Sequence, residues 1–300
     1  MTTINRILFP VDFSKMCARA ATHVRAMAKR FNAEVVLFNV VEPPTNNWYA
    51  YGALSPVMVF MPPPPPEVSE EELKEWKHRK EGRLANFLPE LWGDLNVTRV
   101  IEEGYPAEAI INAVAERQID LIMMPTHGDG RVRRFLLGSV TAKVLHDAPC
   151  PVWTDAHLNT ADHAISVDLR KVICAVDMES QPAHLIANAR EFATGAGAKL
   201  EIVHAVPNAE HLPGQPDDTF CRVILDDARK SVEKLVHRLG MPLTMHVQPG
   251  PIDRTVAEVA EREDADLVII GREHADGMLG RLRGHGYAIV RESGCPVLSF

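Results

Sequence analysis

The run Ile7-Leu8-Phe9-Pro10-Val11-Asp12 returns 165 residues later as Val172-Ile173-Cys174-Ala175-Val176-Asp177. At the same offset, Ala33-Glu34-Val35-Val36-Leu37 is echoed by Ala198-Lys199-Leu200-Glu201-Ile202. Further along, Asp120-Leu121-Ile122-Met123-Met124 matches Asp266-Leu267-Val268-Ile269-Ile270 at an offset of 146. Pro149-Cys150-Pro151-Val152 then matches Gly294-Cys295-Pro296-Val297 at 145. Four blocks in one order indicate a tandem duplication. The fall from 165 to 146 leaves 19 additional residues in the first copy.

Each copy alternates strand and helix signals. Arg6–Val11 is a short apolar run, as a strand buried on both faces requires. Over Ser14–Phe31, Cys17, Ala21, Val24, Ala28 and Phe31 share one helical face. Val35–Val41 reads as a second buried strand. Between Ser69 and Trp92, apolar residues at Leu73, Trp76, Leu84, Phe87, Leu88 and Leu91 have helical spacing. A third strand spans Val97–Glu102, and Pro106 opens a helix to about Arg117. Leu121–Met124 is a fourth strand, Ser139–His146 a helix and Pro151–Thr154 a last strand. The second copy follows the same order, with Pro182 opening its first helix after Ser180. This alternation implies an α/β fold, with a doubly wound parallel sheet and helices on both faces in each copy.

Composition narrows the function without naming it. The 300 residues are 46% hydrophobic and 24% charged, as in ordinary globular chains. A net charge of -8 speaks against a nucleic-acid coat or a polybasic membrane binder. No apolar run reaches the roughly 18 residues that span a bilayer. The amino-terminal stretch lacks the pattern of a secretion signal, so the expected location is the cytoplasm. The five cysteines form no CxxC pair and read as reduced thiols. The 13 histidines show no metal spacing such as HExxH, so no metal ligands are assigned. His204 reads as a packed strand-end histidine.

Ligands of open α/β sheets bind beyond the carboxyl ends of the strands. Asp12-Phe13-Ser14 follows the first strand with no glycine-rich turn. Neither a dinucleotide-binding GxGxxG there nor a GxxxxGK[ST] anywhere is present. After the fourth strand comes Thr126-His127-Gly128-Asp129-Gly130, followed by Arg131, Arg133 and Arg134. Gly138-Ser139 then opens a helix. Small residues at a helix amino end make a phosphate cradle, because free N–H groups and the dipole both favour an anion.

Pro10-Val11-Asp12-Phe13-Ser14, Thr126-His127-Gly128, Leu137-Gly138-Ser139-Val140 and Ala148-Pro149-Cys150-Pro151-Val152 resemble the universal stress protein family. The resemblance covers both copies. It implies two tandem five-stranded parallel sheets of order 3-2-1-4-5, the adenine nucleotide alpha hydrolase-like fold, paired through Pro151–Thr154 and Pro296–Phe300. One branch of that family binds ATP through G-x2-G-x9-G-[ST] after the fourth strand. The first copy keeps the spacing from Gly128 to Gly138-Ser139, but Pro125 stands at the first glycine. Proline removes one N–H and fixes φ, so the cradle loses at most one donor. By this resemblance Asp12 sits by the ribose or metal-bound phosphates, and Val40 or Val41 by the adenine. Gly128, Gly138, Ser139 and Val140 hold the phosphates. Pro10, Met124, Thr126, His127 and Arg131 complete the expected binding set. A plainer role for Asp12 and for Ser139 is a helix N-cap.

The second copy reads Gly271-Arg272-Glu273-His274, nine residues, then Gly284-His285. Its second glycine and its hydroxyl are both histidine, so its site is expected to be degenerate; a side chain at 274 clashes if the loop needs a positive φ. Arg272, Arg281 and Arg283 read as solvated, and Asp177 as a helix cap. Cys150 and Cys295 precede prolines at equivalent places and read as structural.

The expected organisation is a first domain over 1–155, a linker over 156–168 and a second domain over 169–300. The first carries a Pro-rich insertion at about 43–68, either a lid or docking surface or a loop folded onto its own domain. The expected function is a stress-response regulator that binds ATP with or without Mg2+, or ADP or AMP, in the first domain. No catalytic residue is assigned, and slow ATP hydrolysis is the most such a site would do. The expected partners are the nucleotide and a protein, with no nucleic acid and no membrane. The two copies form a pseudo-dimer within the chain, and a homodimer of chains stays open. The alternative is an interaction protein that binds no nucleotide. An adenylating ligase is disfavoured, because the SGGxDS and HIGH-type motifs are both lacking.

Overall fold

The computed structural model describes residues 4–42, 69–128, 137–156, 168–179, 181–207, 218–272 and 284–300. The insertion at about 43–68, Arg131, Arg133, Arg134, residues 157–167, Ser180, His274, Arg281 and Arg283 lie outside these.

Strand β1 spans Arg6–Pro10, with Ile7, Leu8 and Phe9 fully buried. Helix α1 follows over Lys15–Phe31, then β2 over Glu34–Val41. After α2 (Glu70–Ala85) and the short α3 (Pro89–Trp92) come β3 (Val97–Glu103) and α4 (Pro106–Glu116). Then β4 (Leu121–Pro125), α5 (Ser139–Asp147) and β5 (Val152–Asp155) complete the first half. The second half repeats the order: β6 (Lys171–Ala175), α6 (Pro182–Ala196), β7 (Lys199–Val206), α7 (Asp218–Arg238) and β8 (Thr244–Pro249). It ends with α8 (Ile252–Arg262), β9 (Leu267–Ile270), α9 (Gly284–Glu292) and β10 (Val297–Ser299).

The expected helical stretch from Ser69 to Trp92 is two helices. Pro89 forces the break, since it disfavours the α-region for Leu88 and has no N–H to continue the ladder. Leu88 turns left-handed at φ 46° instead. Ser69 and Glu72 close a capping box on α2, while Trp76 stays 40% exposed, contrary to the burial its spacing implied.

Within each half the strands are parallel, in the order β3-β2-β1-β4-β5 and β8-β7-β6-β9-β10. The halves join because β5 and β10 pair antiparallel, Trp153 opposite Leu298, giving one ten-stranded sheet. Alternation along the strands splits the core between two faces. Ile7, Phe9 and Leu37 face α1, α2, α6 and α7, whereas Leu8, Val36 and Phe38 face α4, α5, α8 and α9. Both cores run across the seam, for Val172 continues the first and Ile173 the second. The strand order reverses between β1 and β4, which opens a crevice at their carboxyl ends.

Candidate functional site

A cleft of about 460 Å³ occupies that crevice, within the usual range for small-molecule sites. Its floor is the end of β1, where Pro10, Val11 and Asp12 leave the sheet. Phe13 then turns left-handed at φ 65°, a costly conformation for a bulky residue. Two contacts hold it there. Asp12 Oδ1 accepts from the Ser14 N–H at 2.8 Å, and the Phe13 ring packs on Phe87 at 5.9 Å. Ser14, not Asp12, is the N-cap of α1: its Oγ accepts from Cys17 N–H at 3.0 Å. The plainer alternative for Asp12, a helix cap, is therefore replaced by a tight turn that sets its carboxylate at the cleft.

Gly128 sits against that carboxylate. A Cβ at 128 would collide with Asp12 Oδ2. Gly128 has no positive φ, so close approach is what demands glycine here, not backbone handedness. Gly138 is likewise tight: its Cβ would lie 3.3 Å from Thr126 O, to which its own N–H donates at 2.9 Å. Gly138 is the N-cap of α5 and contributes no side-chain cap. Ser139 is the first helical residue, so its expected capping role is also set aside. The amino end of α5 therefore faces the cleft, and among the described residues no side chain caps its first N–H groups. Pro125 ends β4 opposite Asp155 in extended backbone, and its carbonyl accepts from Thr141 Oγ1 at 3.1 Å. The proline thus falls on a strand residue, where no glycine conformation is needed.

Of the residues expected to bind, Pro10, Asp12, Val40, Met124, His127, Gly128, Gly138, Ser139 and Val140 all line the cleft. Val41 and Thr126 do not; both are buried behind it. Thr126 Oγ1 lies 3.0 Å from His127 Nδ1 and 3.3 Å from Asp155 O, so it orients neighbours instead. The lining adds Phe38, Asn39, Glu42, Lys80, Pro106, Ile110 and others that sequence reading missed. Asn39 Nδ2 donates to Val11 O at 2.6 Å and pins the β1 end. Lys80 arrives from α2 with its ammonium 5.4 Å from the Phe13 ring centroid, and Arg83 stacks on the same ring at 4.2 Å. Burial, then the Arg83 charge, lowers the Lys80 pKa. No local motif marks Lys80, because α2 is charged on most faces.

The second half departs at the matching places. His204 stands where the first half has Asn39, and its Nδ1 donates to Val176 O at 2.8 Å. Asp177 Oδ1 accepts from Glu179 N–H at 2.9 Å, while Gln181 is the residue that precedes α6, so Asp177 is not its cap. Arg272 is not solvated: it donates to Ala148 O of the first half at 2.8 Å.

A model of the universal stress protein family matches the chain twice, over residues 3–154 and 168–300. The chain belongs to the universal stress protein family. A universal stress protein of Methanocaldococcus jannaschii is 33% identical over 147 residues, 49% of this chain and 79% of its own. One from Thermus aquaticus is 33% identical over 147 residues, 49% of this chain and 94% of its own. The solved universal stress protein of Archaeoglobus fulgidus covers 99% of this chain and 96% of its own at a TM-score of 0.66, and its 18% identity speaks for the fold alone.

Four thiols of this universal stress protein, Cys17, Cys150, Cys174 and Cys295, are not poised to react. Burial raises the pKa of Cys17 and Cys174, pushes Cys150 up to about 12 and Cys295 to about 11. One donor set at the opposite end of the sheet, Glu201, His246 and Glu263, brings three ligand atoms within 4.8 Å of one another. Resident cations already hold it: Lys199 Nζ lies 2.8 Å from Glu201, and Lys171 Nζ 3.4 Å from Glu263. Burial raises the Glu201 pKa, but the hydrogen bonds from Lys199 and His246 outweigh it and the net shift is downward. Among the described residues, no helix is long and apolar enough to cross a membrane.

Proposed function

We propose that the first domain binds an adenine nucleotide, ATP, ADP or AMP, and that its occupancy regulates an interaction with a protein partner. One observation carries this. Asp12 meets Gly128 and Gly138-Ser139, more than 100 residues further along the chain, at one cleft where a side chain at either glycine would crowd its neighbours. The phosphates fit the amino end of α5, where backbone N–H groups and the helix dipole favour an anion. Lys80 adds a positive charge, and Mg2+ beside Asp12 would neutralise the remainder. The base fits between Val40 and the Pro106–Ile110 side of α4, an apolar slot. The second domain has histidines at 274 and 285 where the cradle pattern has a glycine and a hydroxyl, and its Arg272 is turned away, which supports a degenerate second site. No residue is assigned to catalysis, and the working location is the cytoplasm.

Chromatography of the supernatant from freshly purified, heat-denatured protein tests the reading. Released adenine nucleotide, together with a rise in unfolding temperature on adding Mg-ATP, is the expected result. A clean supernatant and no thermal shift would leave the alternative, an interaction protein that binds no nucleotide.

A further inference from the structure

Besides the ring contacts beneath the β5–β10 seam, two side chains of the second domain carry hydrogen bonds across it onto α5 and the turn that ends it. Arg272 follows β9, and its backbone N–H stays at home, donating to Phe300 O at 2.7 Å. Its guanidinium crosses the seam. Nη1 donates to Ala148 O at 2.8 Å and to Leu145 O at 3.4 Å, and Nη2 donates to Cys150 O. Tyr287 on α9 donates its hydroxyl to Ala142 O at 3.1 Å. All four carbonyls belong to α5 or the turn that ends it. Leu145, Ala148 and Cys150 lie at the carboxyl end of the helix whose other end carries Gly138-Ser139, and Ala142 lies one turn in from Gly138.

The first domain makes no matching reach from these positions. The offset of 146 pairs Arg272 with Thr126 and Tyr287 with Thr141. Both threonines bond within their own half, Thr126 Oγ1 with Asp155 O at 3.3 Å and Thr141 Oγ1 with Pro125 O at 3.1 Å. The half that has lost the glycine and the hydroxyl of the cradle is therefore the half that supports the other's phosphate helix.

The chemistry suits that task. A helix leaves its last carbonyls unpaired and carries partial negative charge at that end. A guanidinium can satisfy several acceptors at once, where an ammonium cannot match the geometry. Nine residues span only about 14 Å, so a clamp on one end of α5 fixes the position of the other. The cradle leaves little room, because a Cβ at Gly128 would collide with Asp12 Oδ2 and one at Gly138 would lie 3.3 Å from Thr126 O.

We infer that Arg272 and Tyr287 are positioning residues: the second domain holds α5 in the pose that binds the anionic ligand, and so sets the first domain's affinity. This rests on the nucleotide reading above. Coupling between sites is reciprocal, so ligand bound at Ser139 must in turn tighten the grip of α9.

Titration calorimetry with Mg-ATP on the full chain, wild type against Arg272→Met and Tyr287→Phe, tests this. Hydrogen exchange of 284–292 with and without Mg-ATP provides the second readout. The coupling range of known systems sets the expectation of about tenfold weaker binding in Arg272→Met and about fivefold in Tyr287→Phe. Mg-ATP should slow exchange in α9 of the wild type, and that protection should be lost in both variants. A merely structural Arg272 would lower the unfolding temperature and leave affinity and protection unchanged, which overturns the inference. If Arg272→Met does not fold, Tyr287→Phe decides by the same two measurements. Wild-type protein that binds no nucleotide overturns the nucleotide reading and this inference with it. Wild-type binding that both variants keep overturns this inference alone.

Discussion

Gly128 is small because Asp12 needs the room. Gly128→Ala places a Cβ into Asp12 Oδ2, and the carboxylate must turn to clear it, straining the hydrogen bond that its Oδ1 accepts from Ser14 N–H at 2.8 Å. A charge-assisted hydrogen bond is worth about 1.5–3 kcal/mol, so Mg-ATP affinity should fall about tenfold or more while the circular dichroism spectrum is kept. Calorimetry showing wild-type affinity would remove the Asp12–Gly128 pair from the site. At this scale the sequence was informative wherever spacing along the chain decides the matter. Gly128 and Gly138-Ser139 lie in one loop, and Asp12 ends a strand that recurs at Asp177. It was silent where only packing decides. Lys80 and Asn39 reach the cleft through the placement of α2 and β2. The choice of Ser14 over Asp12 as cap depended on Phe13 turning left-handed, which nothing in its side chain announces.

Helix α1 depends on its ends and on one charged clasp. Ser14→Ala removes the hydroxyl that accepts from Cys17 N–H, and an N-cap of this kind is worth about 1 kcal/mol. Urea denaturation should show that loss with an unchanged m-value; equal midpoints would mean another group caps the helix. The clasp is Asp94, held by Lys29 at 2.6 Å and by both guanidinium nitrogens of Arg25. Lys29 first, then Arg25, draw the Asp94 pKa down to about 2. A carboxylate depressed on folding adds stability above its unfolded value, near pH 4, and loses it as pH falls through the folded value. The urea midpoint of wild type should therefore drop more steeply between about pH 4 and pH 2 than that of Asp94→Asn. Parallel curves would show that the clasp contributes nothing. Element identity was legible from apolar periodicity and from prolines at helix starts. The division of α2 from α3 was not, because Leu84, Phe87 and Leu91 keep helical spacing across a break that Pro89 imposes.

The two halves behave as one body through the seam and the rings beneath it. Trp153 of β5 is 3% exposed and packs on Phe192 of α6 at 6.4 Å, while Phe192 also meets Phe31 of α1 at 5.5 Å. Trp153→Ala should cost about 3–5 kcal/mol and divide a single calorimetric transition into two. One transition with undiminished cooperativity would place the coupling elsewhere. The duplication itself was plain from four ordered blocks, and pairing of the last strands followed from family resemblance. The reach of Arg272 was hidden, because an arginine after a strand looks alike whether it meets water or a neighbouring helix. The seam also sets a ratio. Separate subunits that pair through their last strands can part, exchange and redistribute with concentration, whereas two halves on one chain cannot. Each molecule therefore carries the cleft of its first half together with the seam-crossing Arg272 and Tyr287 of its second, in fixed one-to-one stoichiometry, however dilute the protein becomes.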